Sequence, residues 1–81
     1  MQNGLMFNSD RLHTTKLGAE RIKRNLNLEA DDIILWCKGV ICSPDCCITR
    51  KGKNWYACLN GCIITVNAHS YTVITAHKVK R

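Results

Sequence analysis

The sequence lacks several features that would assign it quickly to a class of protein. It has a single proline among 81 residues, and no stretch approaches the roughly 20 consecutive apolar residues that span a membrane. The first residues contain neither a basic head nor a sustained apolar run, so we expect no signal peptide and a cytoplasmic location. No segment has low complexity and no internal repeat is present. We therefore expect one folded domain over residues 1–81 without a membrane segment.

Motifs of several enzyme classes are also missing. The chain has no glycine-rich nucleotide loop and no Gly-x-Ser-x-Gly sequence. Its one adjacent pair of carboxylates, Asp31 and Asp32, is better explained as the start of a helix, where the helix dipole favours negative charge. Hydrolases built on serine triads or on paired acids are therefore poor fits.

Six cysteines are present, but no two of them form a C-x-x-C pair. Successive cysteines are separated by 4, 3, 0, 10 and 3 residues, which fits no common zinc ribbon or finger. Thiols in the cytoplasm should stay reduced. We therefore favour free thiols over a metal cluster at Cys42, Cys46 and Cys47 and over disulfides, and we expect no metal and no cofactor.

The formal net charge of +6 points to a polyanionic partner. Cations concentrate in residues 16–24, 50–53 and 78–81. A basic surface on a small domain favours nucleic acid above other partners. A soluble surface that is merely basic is an equally good interpretation of the same charge.

The first half of the chain predicts two helices. Thr14 and Thr15 offer hydroxyls that accept from the free backbone donors of a helix over residues 16–26, although Gly18 weakens this helix unless close packing needs the missing side chain. Pro44 ends the second helix. That helix is indicated by one apolar stripe at helical spacing, which consists of Ile33, Trp36, Cys37, Val40 and Ile41.

From Cys46 onwards the period changes to two, which is typical of strands. A turn at residues 51–53 and a hairpin signal at Asn60 and Gly61 separate the first three strands. The predicted strands cover residues 46–50, 54–59, 62–67 and 71–78. After a loose lead-in of residues 1–8, we thus predict an α+β fold in which two N-terminal helices, within residues 9–43, pack on one face of a four-stranded antiparallel β-meander over residues 46–78.

The strongest functional signal lies in the last two strands, from Ile63 to Lys78. Alternation places one face on the core and leaves the other to water. The predicted inward residues are Cys62, Ile64, Val66, Thr72, Ile74 and Ala76. The predicted outward residues are Ile63, Thr65, Asn67, Tyr71, Val73, Thr75 and His77. An ordinary solvated sheet explains this pattern as well, because threonine and tyrosine fit a pleated surface.

Two histidines that converge would suit cleavage of RNA without a metal. One histidine takes the proton of the 2′-hydroxyl and the other protonates the leaving oxygen, since an unperturbed pKa near 6.5 suits both roles, while cations stabilise the phosphorane. The predicted catalytic residues are His13, Tyr71, Thr75 and His77, of which Tyr71 and Thr75 orient the substrate. A local hydrogen-bonding role is the alternative for His13.

Cations and aromatics alternate between Arg50 and Tyr56, an arrangement that holds phosphates and stacks a base. We expect Trp55 to join the core and Tyr56 to face outwards. The predicted nucleic-acid-binding residues are Arg50, Lys51, Lys53, Tyr56, Asn67 and Lys78. A hairpin turn with solvated lysines is the alternative interpretation.

The sequence resembles a family of small uncharacterised bacterial proteins in four separated blocks that occur in the same order. These blocks are Leu12–Leu26, Trp36–Lys38, Arg50–Tyr56 and Ile63–Lys78. This family is the domain of unknown function thirty-seven eighty-one, and the resemblance covers about residues 11–78. The order of elements is also similar to the barnase, colicin and RelE-type ribonucleases. That second likeness is topological and implies an open sheet face that cuts RNA without a metal.

These observations give two main hypotheses. The first is a basic domain that binds nucleic acid, RNA above all, with metal-independent endoribonuclease activity as its sharper form. The second is a non-catalytic inhibitor or regulator from a mobile element that binds a protein or a nucleoprotein complex, as an anti-CRISPR protein does. A cysteine-ligated zinc protein is the third hypothesis. An exposed final strand also predicts a homodimer formed through that edge.

Overall fold

The computed structural model describes Leu5, residues 8–28 and residues 32–78 of the chain. A short 3-10 helix (Ser9–Arg11) precedes two α-helices and four strands. The elements are α1 (Lys16–Leu26), α2 (Ile33–Ile41), β1 (Cys47–Lys51), β2 (Asn54–Leu59), β3 (Cys62–Asn67) and β4 (Val73–Lys78). The strands form one antiparallel sheet in the order β1-β2-β3-β4. This arrangement confirms the predicted α+β meander with its helices ahead of the sheet.

Helix α1 begins where the two threonines predicted it. The Thr15 hydroxyl accepts a hydrogen bond from the backbone N–H of Gly18 over 3.0 Å, which satisfies one of the free donors at the helix start. A side chain at Gly18 would bring its Cβ within 2.5 Å of the Thr14 hydroxyl oxygen. Close packing against Thr14 leaves no room for a side chain at position 18. This explains why the helix contains a glycine there.

Helix α2 is capped by Asp32, whose carboxylate accepts from the backbone N–H of Leu35 over 3.0 Å. Asp31, the other half of the predicted acidic start, lies outside the described residues. The predicted apolar stripe is buried along Ile33, Cys37, Val40 and Ile41, while Trp36 is half-buried. In the described parts of the chain, neither helix combines the length and apolar character needed to cross a bilayer.

Two tight turns set the register of the sheet. Asn60 and Gly61 both have positive φ, at 51° and 79°, as a type I′ hairpin requires. Gly52 has a φ of 61° at the first position of the β1–β2 turn, where a type II′ turn needs glycine. The pairs Lys51–Asn54 and Leu59–Cys62 close these two hairpins.

The helices cover one face of the sheet, and the core lies between them. The buried apolar residues are Leu5, Leu12, Ile22, Leu26, Ile33, Cys37, Val40, Ile41, Ala57, Ile64, Val66, Val73 and Ala76. Leu5 belongs to the segment that the sequence predicted as a loose lead-in, and its side chain is fully buried. The remainder of that segment, apart from Asn8, lies outside the described residues.

Other parts of the chain occupy the outer edge of β4 at Thr72, Val73 and Ala76, so the final strand is not fully open, and the homodimer through this edge stays a prediction. His13 forms a parallel bridge with Thr72, and its backbone oxygen accepts from the N–H of Val73 over 2.7 Å. The Thr14 hydroxyl donates to the Val73 carbonyl over 2.9 Å, and the Asn25 amide donates to the Ala76 carbonyl over 3.2 Å. Side chains from the helical half thus use hydrogen-bonding groups that an exposed edge would offer to a second copy. On the opposite side of the sheet, β1 pairs only with β2 among the described strands.

Candidate functional site

The face of the sheet turned away from the helices carries three rows of side chains, and we call it the outer face. The register defines the rows as Lys51–Asn54–Asn67, Thr49–Tyr56–Thr65–Thr75 and Cys47–Cys58–Ile63–His77. As the alternation predicted, Trp55 packs against the core and Tyr56 lies on the outer face. Thr65 is on this face but only 8% exposed, because Tyr56 and Thr75 flank it on the adjacent strands.

A shallow, open depression of about 500 Å³ lies beside Tyr56 on the outer face. Thr49, Lys51, Gly52, Tyr56 and Ile63 line it, and we call it the Tyr56 groove. Its apolar surface comes from Tyr56 and Ile63, while Thr49 adds a hydroxyl and Lys51 adds a cation. An aromatic ring beside a few polar groups is the usual composition of a small-ligand site.

Charge divides the chain into two unequal halves. All six acidic residues fall within residues 1–45, together with six lysines and arginines, so that half has a formal charge of zero. Residues 46–81 contain six lysines and arginines and no acid, and thus hold the whole net charge of +6. The described sheet and its turns therefore present cations without any carboxylate of their own.

Arg50 does not share the outer face with Lys51. It pairs with Trp55 on the side that faces the helices, and its guanidinium lies 5.3 Å from the centre of the Trp55 ring. The Nε of Arg50 also donates to the Gly52 carbonyl over 3.0 Å. Arg50 thus covers the exposed part of Trp55, and Lys51 and Lys53 are the cations beside the Tyr56 groove.

The remaining predicted binding residues are spread over both ends of the sheet. Lys53 lies in the β1–β2 turn, and its carbonyl accepts from the N–H of Ala68 over 2.8 Å. The side-chain oxygen of Asn67 accepts from the N–H groups of His69 and Ser70 over 2.9 and 3.0 Å, so Asn67 holds the β3–β4 turn in shape. Lys78 pairs with Cys62 at the opposite end of the sheet from Lys53.

The predicted alternation along the final strand fails at Val73 and Ile74, because the ladder is irregular there. Thr65 pairs with Thr75 and the next residue, Val66, pairs with Val73, which leaves Ile74 unpaired between them. Such a bulge shifts the facing of one strand by a residue. Val73 is therefore buried in the core instead of facing out, and Ile74 is 43% exposed instead of facing in.

Tyr71 also lies away from the outer face. It precedes β4 and adopts a φ of 59°, a conformation that is rare for an aromatic residue. Its half-buried ring packs against the core, and the Arg11 guanidinium lies 4.6 Å from the ring centre. Tyr71 is thus placed with the helical half of the protein, whereas Thr75 and His77 occupy the outer face as predicted.

His13 takes part in a chain of hydrogen bonds that the sequence did not reveal. Its Nδ1 lies 3.0 Å from the Arg11 carbonyl, and its Nε2 lies 2.9 Å from the Thr72 hydroxyl. The Thr72 hydroxyl is in turn 2.7 Å from that of Ser70. Because the carbonyl can only accept, Nδ1 carries a proton in this arrangement. Thr72 is 59 residues from His13 along the chain, so no local sequence pattern could have predicted this hydrogen bond.

The structure does not bring His13 and His77 together. His13 pairs with Thr72 at the start of the last strand, whereas His77 is opposite Ile63 near its end. Five residues of strand separate Thr72 from His77, which corresponds to roughly 16 Å. An acid–base pair acting on one phosphate needs both groups within hydrogen-bond reach of the reacting atoms. This geometry does not supply that pair.

All six cysteines are free thiols, and five of them lie outside the core. In the described part of the chain, no group of three or more His, Cys, Asp or Glu side chains is arranged to hold a metal ion. Burial raises the pKa of the Cys37 thiol from 9.0 to about 12. Burial also raises the pKa of Cys46, with smaller contributions from the neighbouring Cys58, Cys47 and Cys42.

Comparison with known proteins identifies a family but no activity. Neither a curated protein nor a solved structure matches the chain, so the topological likeness to barnase, colicin and RelE-type ribonucleases receives no support. One family model matches residues 6–77, and its description is Protein of unknown function (DUF3781). That match spans the two helices and nearly the whole sheet. The chain therefore belongs to the DUF3781 family, a domain of unknown function.

Proposed function

We propose that this protein binds single-stranded RNA across the outer face of its sheet, with a base stacked on Tyr56. The observation that carries the proposal is the Tyr56 groove, where the exposed part of an aromatic ring lies beside cations. The groove belongs to the half of the chain that contains no acidic residue. Polyanions are attracted to such a field from a distance, and single-stranded nucleic acids bind grooves that combine cations with aromatic rings.

The groove matches the chemistry of a nucleotide. Tyr56 and Ile63 offer an apolar surface for a base, and stacking on an aromatic ring contributes about 1–3 kcal/mol per base. The Thr49 hydroxyl can donate to or accept from a base edge or a 2′-hydroxyl. RNA recognition on open antiparallel sheets commonly uses this combination of stacking and hydroxyl contacts.

Lys51 and Lys53 are the groups that would contact phosphates. Lys51 lines the groove, and Lys53 lies in the adjacent turn and is exposed to solvent. His77 and Thr75 extend the polar surface across β4. His77 is roughly 12 Å from Tyr56 on the spacing of strands and residues, so both residues can contact one short strand of RNA.

Substitution of Tyr56 tests the proposal directly. We expect Tyr56→Ala to weaken binding of a fluorescently labelled single-stranded RNA by roughly 5- to 150-fold, the equivalent of about 1–3 kcal/mol of lost stacking. Tyr56→Phe, which keeps the ring, should bind within a few-fold of the wild type. Fluorescence anisotropy measures both, and equal weakening by the two variants would argue against stacking on this ring.

The salt dependence of binding tests the two lysines. Each phosphate neutralised on a single strand contributes about −0.7 to the slope of log K against log salt. Two contacts predict a slope near −1.4 and roughly a 7-fold loss of affinity between 50 and 200 mM salt. In Lys51→Ala/Lys53→Ala the slope should approach zero. Arg21→Ala/Arg24→Ala, which removes the same charge from exposed positions of α1, should keep the wild-type slope.

We expect binding without cleavage, because His13 and His77 lie too far apart to act together on one phosphate. Incubation of RNA with the protein in a chelator should leave the RNA intact. Cutting that disappears in His77→Ala would contradict this part of the proposal. Failure to bind any RNA or single-stranded DNA would instead favour the hypothesis of an inhibitor that binds a protein.

A further inference from the structure

Two cysteines lie directly opposite each other on the outer face. Cys47 of β1 is the register partner of Cys58 of β2, so both side chains leave the sheet on the same side. Opposed residues on antiparallel strands have Cα atoms about 4.5–5.5 Å apart. This separation falls within the roughly 4.4–6.8 Å range that a disulfide bridges without movement of the backbone.

We propose that Cys47 and Cys58 form a reversible disulfide, which makes this corner of the sheet a site of oxidative modification. The oxidant that the site would take is a small disulfide such as glutathione disulfide. Cys47 is exposed and accessible to such a molecule, whereas Cys58 is half-buried beside it. This difference in exposure gives the two thiols different roles in the exchange.

The exchange proceeds in two balanced steps. The Cys47 thiol loses its proton to water, and its thiolate attacks one sulfur of glutathione disulfide, which forms a mixed disulfide and releases one glutathione thiolate. The Cys58 thiol then loses its proton, and its thiolate attacks the Cys47 sulfur, which displaces the second glutathione. Two protein thiols are oxidised and one glutathione disulfide is reduced to two glutathione molecules.

The other thiols near this corner are less suited to the reaction. Cys46 lies just before β1 and packs against the core, although its thiol also interacts with Cys58. Burial raises the pKa of Cys46, which lowers the fraction of reactive thiolate. Cys42 is exposed but follows α2, and its sulfur lies 3.7 Å from the Ser9 hydroxyl. Cys37 is fully buried.

Thiol counting after oxidation tests the proposal on the 81-residue chain. The protein is equilibrated with glutathione disulfide, remaining thiols are alkylated, and intact mass and peptide fragmentation are measured. We expect four alkylated cysteines, one internal link between Cys47 and Cys58, and full reversal by dithiothreitol. Cys47→Ser should retain five free thiols. Cys58→Ser should stop at a glutathione adduct on Cys47 with four free thiols, while Cys42→Ser should still form the link.

Several results would overturn the proposal. A link that persists in Cys47→Ser through Cys46 would assign the reaction to a different pair. Six alkylated cysteines after oxidation of the wild type, or links found only between molecules, would show that the opposed thiols do not react with each other. Circular dichroism of each serine variant establishes that it is folded, and fragmentation of the wild-type protein decides the question without any variant.

Discussion

The two helical glycines should respond in opposite ways to the same substitution. Alanine normally stabilises a helix interior by roughly 1 kcal/mol relative to glycine. Gly39 in α2 has open space around the position of a Cβ among the described residues, so Gly39→Ala should raise the free energy of unfolding by about 0.5–1 kcal/mol. Gly18 in α1 has no such space, and alanine there should destabilise the protein.

The size of the Gly18 effect follows from its neighbours. A Cβ at Gly18 would lie 2.5 Å from the Thr14 hydroxyl oxygen and 3.2 Å from that of Thr15. Thr14 must then move, and it would lose its 2.9 Å hydrogen bond to the Val73 carbonyl, which leaves that acceptor unsatisfied at a cost of about 1–3 kcal/mol. The helix-propensity gain of roughly 1 kcal/mol offsets part of this loss. We expect Gly18→Ala to lower the free energy of unfolding by up to about 2 kcal/mol.

Urea unfolding followed by circular dichroism measures both variants under one condition. For a domain of this size, 1 kcal/mol corresponds to a shift in Tm of about 4–8 °C, so the predicted difference is readily resolved. A Thr14→Ala background removes the clashing oxygen, and Gly18→Ala should no longer destabilise the protein there, because the helix-propensity gain is no longer opposed by a lost hydrogen bond. An increase in stability from Gly18→Ala in the wild-type background would refute the reasoning.

Two further predictions concern burial and the partly covered edge of β4. Burial raises the pKa of Cys37 from 9.0 to about 12, so the unfolded chain releases this proton at a lower pH than the native protein does. The contribution of Cys37 to the free energy of unfolding is therefore constant below pH 9 and falls by up to about 4 kcal/mol by pH 12. Urea unfolding from pH 8 to 11 should show a steeper loss for the wild type than for Cys37→Ala, and parallel curves would contradict the shift. Asn25→Ala should lower the free energy of unfolding by about 0.5–1.5 kcal/mol, because the Ala76 carbonyl loses its donor; Asn27→Gly, which keeps a left-handed helix end, should change it far less.

Local signals predicted most of the fold. The Thr15 cap, the helical stripe from Ile33 and the Asn60–Gly61 turn each act within a few residues, and all three define elements with the expected bounds. Strands β2 and β3 also begin and end where their alternation predicted. These elements are readable from sequence because capping, periodicity and turn geometry are short-range effects.

The features that sequence reasoning missed depend on distant parts of the chain. The bulge at Ile74 arises from how β4 pairs with β3, and nothing in the local sequence specifies which residue is left out. His13 and Thr72 meet only because the segment before α1 returns to the start of the last strand. The prediction that His13 and His77 converge failed because their relative position depends on both of these long-range arrangements. Tyr56 was easier to place because it lies in β2, whose pairing with β1 and β3 is regular and crosses only one tight turn on each side.

The partly covered edge of β4 limits how the protein can assemble with itself. Fibril growth by strand addition needs two free edges on every molecule, since each new copy must offer a template to the next. Hydrogen bonds from Thr14 and Asn25 take up two backbone carbonyls of one edge, and β1 has no second neighbour among the described strands. Strand addition is therefore favoured at β1 over β4, and pairing of two β1 edges would stop at two copies.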